Sequence, residues 1–172
     1  CVMEQFDRSH IKVDILVNDP RSVYAKPLED IGADEWDAVQ TRNAKAPFLI
    51  SQQVLPRMAK DEYGRVVNMI SELAERGMAN GSAFAASQAA VLALTRSLAV
   101  EWSRFNIRIN AIGTGLIDTE GQTLETQREE LLVRYTPLRR KGKTSDIGPL
   151  LVYLCSEFCD YSTGQAVYVD GG

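Results

Sequence analysis

The feature that most constrains the fold is the alternation of short, largely apolar runs with longer segments of helical spacing. The runs predicted as strands are residues 13–18, 64–71, 107–112 and 165–170, and the segments predicted as helices are residues 27–60, 82–105 and 145–158. In residues 13–18, continuous apolarity rather than alternation of apolar and polar residues predicts a strand covered on both faces, as in a parallel sheet. Strands that alternate with helices in this way predict an α/β fold with a parallel sheet.

The length and charge of the chain narrow the class of protein. A length of 172 residues suits one domain. The net charge of −4 argues against nucleic acid as the main partner, because phosphate binding requires clustered Lys and Arg. We see no apolar run of the roughly 18 residues that span a bilayer and no signal peptide, so we predict no membrane association and a cytoplasmic location. The polar residues 116–143 are predicted as a solvated lobe that contains a helix.

Cysteine and histidine are too sparse to predict a metal site. The chain has one histidine, His10, and three cysteines, Cys1, Cys155 and Cys159. An odd, small number of cysteines fits a reducing compartment. Cys155 and Cys159 would share one face of a helix. We interpret them as buried or half-buried thiols near a helix end rather than as metal ligands or a disulfide pair.

Several short motifs follow one another in a distinctive order. They are residues 14–18 in the first strand, Asn43 in the first helix, Ser71 at the end of the second strand, residues 108–112 in the third strand, and the terminal stretches 163–165 and 169–172. This ordered set resembles the short-chain dehydrogenase/reductase family over essentially the whole chain. The resemblance implies a Rossmann-type, doubly wound parallel sheet and an NAD(P)-dependent oxidoreductase activity. It also implies that Ser71 and Asn43 occupy catalytic positions.

The residues at the centre of the resembled active site differ from the family pattern. The family motif is Tyr-x-x-x-Lys, usually within Tyr-x-Ala-Ser-Lys, and the aligned segment here runs from Phe84 to Gln88 with Ala-Ser preserved. Phe84 follows Ser71 by 13 residues, the family spacing (84 − 71 = 13). In the family the tyrosine transfers a proton, and the lysine lowers its pKa and holds the nicotinamide ribose. Phe84 has no ionisable proton and Gln88 no charge, so we predict that Ser71 and Asn43 are vestigial.

The resembled cofactor site is also altered. The family sequence Asn-Asn-Ala-Gly has become Asn18-Asp19-Pro20-Arg21, so Asn18 stands at a degenerate cofactor position, and Pro20 and Arg21 add bulk. No glycine-rich phosphate loop occurs in the sequence, and in the family this loop and the first strands would precede Cys1. We therefore predict one partial domain, residues 1–172, that binds neither NAD nor NADP by itself. The first strand is expected to be an unpaired apolar edge.

Three functions fit these observations. The first is a catalytically inactive homologue, a structural or regulatory subunit that forms a homo- or hetero-oligomer with an active dehydrogenase through the helices around residues 36–60 and 82–105. The second is a divergent alcohol dehydrogenase or ketoreductase that uses Ser71 and Asn43 with another acid. Tyr24 and Tyr63 are candidates for that acid, although we interpret both as surface aromatics. The third is a ligand-binding module without catalysis. The sequence leaves the substrate and the choice between NAD and NADP open.

Overall fold

The predicted order of strands and helices is confirmed. The structure, a computed structural model, describes residues 5–6, 8–9, 11–119, 121 and 130–172. Its strands and helices are β1 (Ile15–Asn18), α1 (Ala33–Gln40), α2 (Ala46–Lys60), β2 (Gly64–Ser71), α3 (Ser82–Trp102), β3 (Ile107–Thr114), α4 (Leu131–Tyr135), α5 (Thr144–Cys155) and β4 (Ala166–Val169). Short 3-10 turns follow β2, α3 and α5 at Glu72–Ala74, Ser103–Phe105 and Glu157–Cys159, and another, Leu28–Asp30, precedes α1.

The four strands form one parallel sheet in the order β1-β2-β3-β4. Because the strands are parallel, their carboxyl ends lie at the same edge of the sheet. Register pairs align these ends: Ser71 of β2 is the partner of Thr114 of β3, and Thr114 is in turn the partner of Val169 of β4. In open α/β sheets, ligands bind in the crevice outside this edge.

Helices cover both faces of the sheet, as a doubly wound fold requires. Alternate side chains of a strand point to opposite faces, so neighbouring residues of β2 enter different clusters. Val66 packs with residues of α2 and α3 in one apolar cluster, whose buried members are Val54, Leu55, Met58, Val66, Ala99, Ile107 and Ile109. Val67 packs in a second cluster, on the α5 side, with buried members Val67, Met69, Ile112, Leu154 and Cys159.

The expectation that β1 is covered on both faces is wrong. Leu16 packs against the cluster formed by α2 and α3, but Ile15 and Val17, on the other face, are 49% and 42% exposed. Within the described part of the chain, β1 pairs only with β2, so its outer edge has no strand beside it. The predicted apolar edge strand is therefore present, and it begins at Ile15 rather than at residue 13.

The third strand is longer than predicted. We expected it to end at residue 112, but Gly113 and Thr114 continue the ladder opposite Tyr168 and Val169 of β4. The glycine serves packing here, because a Cβ at position 113 would collide with the ring of Tyr168. A glycine at a strand end is easily interpreted as a turn residue when its neighbour across the sheet is unknown.

The helix predicted over residues 27–60 begins at Ala33 and is divided by a wide π-type turn, Thr41–Lys45. Pro47 explains the position of this turn. It has no backbone N–H and cannot donate to the carbonyl of Asn43, four residues earlier, so the regular hydrogen-bond ladder is interrupted there. The interruption places Asn43 on a locally widened helix that faces the chain after β1.

Helix α3 is the central helix of the domain. Together with the turn after it, the stretch Ser82–Phe105 is, among the described residues, the one helix long and apolar enough in composition to cross a membrane. Its buried side includes three polar residues, Ser87, Gln88 and Thr95, and α3 contacts β2 and β3. A helix whose apolar and polar side chains pack against a sheet is typical of a protein core.

Candidate functional site

Ser71 lies at the carboxyl end of β2, where both its backbone and its hydroxyl serve local structure. Its N–H donates to Oε1 of Gln88 at 2.9 Å. Its Oγ accepts from the N–H of Leu73 at 3.2 Å and thereby caps the 3-10 turn Glu72–Ala74. Ser71 also lines a cavity at this edge of the sheet, and a serine hydroxyl that accepts one hydrogen bond can still donate one to a ligand.

Phe84 and Gln88 lie one turn apart on α3, so both face the end of β2. Both are buried, and Gln88 is only 1% exposed. The Gln88 amide joins the helix to the sheet: Oε1 accepts from Ser71 N–H, and Nε2 donates to Ser87 Oγ at 3.4 Å. The two positions that the resemblance assigns to proton transfer thus hold an aromatic ring and a neutral amide engaged in structural hydrogen bonds.

Asn43 joins three segments of the chain. Its Oδ1 accepts from the N–H of Ser22 at 2.8 Å, and its Nδ2 donates to the carbonyl of Ser22 at 3.0 Å and to Ser87 Oγ at 3.1 Å. The side chain is buried. Both donor hydrogens and the oxygen of its amide are therefore engaged by the protein, and these bonds fix the segment that follows β1.

Asn18 is placed inside the sheet rather than on a ligand-binding surface. Its Nδ2 donates to Oδ1 of Asn68, its register partner in β2, at 2.8 Å. Asn68 in turn donates to Thr95 Oγ1 of α3 at 2.9 Å. The three side chains are buried and form a polar chain that connects β1, β2 and α3.

Arg21 is the residue at this edge of the sheet whose role the sequence did not reveal. Its Nη1 donates to the carbonyl of Ile70 at 3.2 Å and to Thr114 Oγ1 at 2.6 Å, and its Nε donates to Asp19 Oδ1 at 2.7 Å. The guanidinium therefore spans the carboxyl ends of β2 and β3. The signal in the sequence was an arginine in place of the glycine of the family's Asn-Asn-Ala-Gly motif. From the sequence alone we inferred only that the side chain is larger, not which groups it binds.

A cavity of about 690 Å³ opens at the same edge of the sheet. Its apolar wall includes Val23, Leu73, Met78, Phe84, Leu116 and Ile117, and its polar groups include Asp19, Arg21, Ser71, Glu72, Arg76 and Asp170. Of the predicted site residues, Ser71 and Phe84 line the cavity, whereas Asn18, Asn43 and Gln88 lie behind its wall.

The two tyrosines considered as replacement acids lie away from the cavity wall. Tyr63 precedes β2 and therefore lies at the amino end of the sheet, where the guanidinium of Arg65 is 4.6 Å from the centre of its ring. Tyr24 does not line the cavity either. Neither phenol is positioned to transfer a proton beside Ser71.

Glu72 is the acidic group closest in sequence to Ser71 that lines the cavity. Burial raises the pKa of Glu72 above its ordinary value, and the positive charge of Arg76 counteracts part of this increase. Arg76 lies 3.5 Å from Glu72 and 3.6 Å from Asp170, so it bridges two carboxylates on the wall of the cavity. A carboxyl group with a raised pKa can act as a general acid.

The cysteines agree with their interpretation as thiols packed near a helix end. Cys155 is half-buried and Cys159 is buried, and neither is in a disulfide. Burial raises the pKa of the Cys155 thiol, which makes it less reactive. No group of three or more potential metal ligands occurs among the residues that the structure describes. Cys1 and His10 lie outside those residues.

Comparison with known proteins places this geometry in a family. A family profile described as "Enoyl-(Acyl carrier protein) reductase" matches residues 1–172. The chain belongs to the short-chain dehydrogenase/reductase family. It is 33% identical to the 3-oxoacyl-(acyl-carrier-protein) reductase FabG of Thermotoga maritima over 99% of this chain and 70% of the relative. It is 34% identical to the 2-dehydro-3-deoxy-D-gluconate 5-dehydrogenase of Bacillus subtilis over 94% of this chain and 65% of the relative.

Solved structures of this short-chain dehydrogenase/reductase family share the fold. The acetoin dehydrogenase of Enterobacter cloacae superposes with a TM-score of 0.89 at 31% identity, covering 99% of this chain and 68% of that protein. The chain therefore spans about two thirds of the length of such relatives. Their names refer to chemically different substrates, so the likeness identifies an oxidoreductase family without selecting one substrate. Members of this family typically bind NAD or NADP.

Proposed function

We propose that this chain is a catalytically silent member of the family, a structural or regulatory subunit that pairs with an active NAD(P)-dependent dehydrogenase in the cytoplasm. The observation that carries the proposal is the Phe84 ring on the cavity wall, at the position where the family has its proton-transferring tyrosine. Gln88 supports the same conclusion. It stands at the position of the family lysine but has no positive charge, and its amide oxygen accepts a hydrogen bond from the N–H of Ser71.

The chemistry of the remaining residues supports this proposal. Reduction of a carbonyl requires a proton as well as a hydride, and a general acid typically contributes a factor of about 10²–10⁴ in rate. Phe84 has no proton to give. The hydroxyl of Ser71 can polarise a carbonyl but does not titrate near neutral pH, and Asn43 uses its amide to hold Ser22 and Ser87. Positioning groups are therefore retained without an acid at the position that the family uses.

The surface of the helices supports a role in assembly. Family members generally form oligomers. The predicted interface helices carry exposed large apolar side chains: Trp36, Phe48, Leu49 and Ile50 on the α1–α2 segment and Val100 on α3. Stable protein interfaces bury at least about 1,000 Å² and have such side chains at their centre. These helices are the surfaces through which we expect a second subunit to bind.

Purification from the native host tests both parts of this proposal. We expect the protein to co-purify with a second dehydrogenase that has an intact Tyr-x-x-x-Lys motif. The recombinant full chain, incubated with NADH or NADPH and a panel of ketones and keto acids, should oxidise the cofactor no faster than a blank without protein. The Thermotoga maritima relative, assayed in parallel, serves as the positive control.

Turnover by the chain alone, at a rate comparable with that of the positive control, would contradict the proposal. The variant Glu72→Gln would then identify the acid, because it keeps the shape of the side chain and removes the titratable proton. Loss of the observed rate in this variant would assign proton transfer to Glu72 and establish the alternative, a divergent reductase. Retention of that rate would show that some other group supplies the proton.

The cavity favours a second candidate, a ligand-binding module without catalysis. Its volume of about 690 Å³ is within the range of small-molecule sites, which is about 300–1,000 Å³. A ligand at about 100 times its dissociation constant would stabilise the folded chain by about 2.7 kcal/mol. We expect a thermal-unfolding screen of small carbonyl compounds without cofactor to show such a shift if this function is retained.

Two matched tryptophan substitutions control the ligand screen. Met78→Trp fills part of the cavity and should abolish a ligand-dependent shift in melting temperature. Val152→Trp introduces the same side chain on an exposed position of α5 and should leave the shift unchanged. A shift that persists in Met78→Trp would mean that the ligand binds elsewhere.

A further inference from the structure

Arg21 occupies a position at which the family motif has glycine. The segment after β1 reads Asn18-Asp19-Pro20-Arg21, where relatives with the motif have Asn-Asn-Ala-Gly. Small residues in this segment allow the backbone and a cofactor to approach each other. Arg21 instead places a long cationic side chain beside the ends of the strands, and this side chain is directed back onto the sheet.

The guanidinium of Arg21 is fixed by contacts on both sides. Nη1 is bound to the carbonyl of Ile70 and to Thr114 Oγ1, and Nε is bound to Asp19, which leaves the side chain only 23% exposed. The next residue, Ser22, is held through its N–H and its carbonyl by the buried Asn43. The backbone of Arg21 is thus constrained through the neighbouring Ser22, and its guanidinium is constrained by its own hydrogen bonds. Arg21 is therefore part of the rigid structure and not a freely moving surface side chain.

The guanidinium lies at the edge of the sheet where a cofactor would bind. Ser71 and Thr114 are register partners at the carboxyl ends of the two central strands, and Arg21 bridges these ends through Ile70 and Thr114. Open α/β sheets bind nucleotide cofactors in the crevice outside such ends. The residues that this chain supplies to that crevice therefore do not fit a nicotinamide ring, because a planar cation already lies there.

We propose that Arg21 excludes the nicotinamide end of a dinucleotide cofactor from this chain. The exclusion is steric. A ring placed over the ends of β2 and β3 would have to displace the three hydrogen bonds of the guanidinium, one of which is the ion pair with Asp19. This inference goes beyond the silent proton-transfer site, because it concerns the binding of the cofactor and holds whether or not an acid is present.

Nicotinamide mononucleotide is the probe that isolates this end of the site, since it needs none of the residues that bind the adenosine half of a dinucleotide. Binding to the full chain can be followed by NMR through the backbone amides of Ser71 and Gly115, which flank the strand ends. We expect the wild-type protein to show no saturable shifts at millimolar probe. Arg21→Gly, which restores the family residue, should bind at least tenfold more tightly than the wild type.

Two further variants keep the test decisive. Arg21→Met retains most of the length of the side chain but lacks the charge and the donors, so it should admit the probe even if the glycine variant is poorly folded. Arg104→Ala removes an exposed arginine from the turn after α3, at the opposite end of β3, and should behave like the wild type. Thermal unfolding of each variant shows whether it is folded.

Saturable shifts at Ser71 and Gly115 in the wild-type protein would overturn the proposal, as would folded Arg21 variants that bind no better than the wild type. Either result is separate from a failure of the proposed function. A wild-type chain that binds the probe and still does not oxidise NAD(P)H would refute exclusion by Arg21 and leave the silent proton-transfer site intact. A wild-type chain that turns over substrate would refute both.

Discussion

Replacing Asn43 by alanine is expected to lower the free energy of unfolding by about 2–4 kcal/mol. The substitution removes three hydrogen bonds at once, two to the backbone of Ser22 and one to Ser87 Oγ. Ser87 Oγ keeps its bonds to the carbonyl of Phe84 and to Gln88 Nε2, so the main loss is the pair of bonds that holds the backbone of Ser22. Three hydrogen bonds at about 1 kcal/mol each account for the expected size of the effect.

Chemical unfolding in urea, followed by circular dichroism, measures this effect. The matched control is Thr41→Ala, an exposed position in the same π-type turn, which should change stability by no more than about 0.5 kcal/mol. If Asn43→Ala loses less than about 1 kcal/mol, Asn43 is not the clamp that its contacts indicate. A normal stability with altered NMR signals at Ser22 would instead point to a purely local adjustment.

Leu55→Ala is expected to destabilise the protein by about 2–5 kcal/mol, the range for large-to-small substitutions in well-packed cores. Leu55 on α2 is 1% exposed and belongs to the cluster that joins α2 and α3 to the sheet. Alanine removes apolar contacts and leaves a void that the neighbouring helix and strands can fill only in part.

The control for Leu55 is the same substitution at Leu28, which is 73% exposed in the turn before α1. Leu28→Ala should change the urea midpoint little, because an exposed leucine makes few apolar contacts that the substitution could remove. Equal losses for the two variants would show that the helices do not pack against the sheet as described. A loss confined to Leu55 would support the layer arrangement on which the position of the site depends.

Much of the fold could be predicted because its signals are local in sequence. The bounds of β2 follow from a largely apolar run that starts at a glycine and ends at a serine, and they match the structure at both ends. The exposure of β1 and the extension of β3 were missed because each depends on a neighbour across the sheet. Whether Ile15 is covered, or Gly113 lies opposite Tyr168, is decided by the packing of distant segments.

The candidate site shows the same division. The resemblance assigned Ser71 and Phe84 to the active-site positions of the family, and in the structure both residues line the cavity. The contacts of Gln88 and Arg21 could not be predicted, because they join residues far apart in the chain. Gln88 bonds a residue 17 positions earlier, and Arg21 bonds Ile70 and Thr114, which follow it by 49 and 93 positions.

The bridge that Arg21 makes between β2 and β3 bears on how an active variant of this chain could be designed. Under the two proposals made above, Phe84→Tyr and Gln88→Lys would supply the proton-transfer groups on a single helix but leave the strand ends occupied. The arginine 63 positions before Phe84 (84 − 21 = 63) would have to be replaced as well, so neither set of changes is expected to produce turnover by itself.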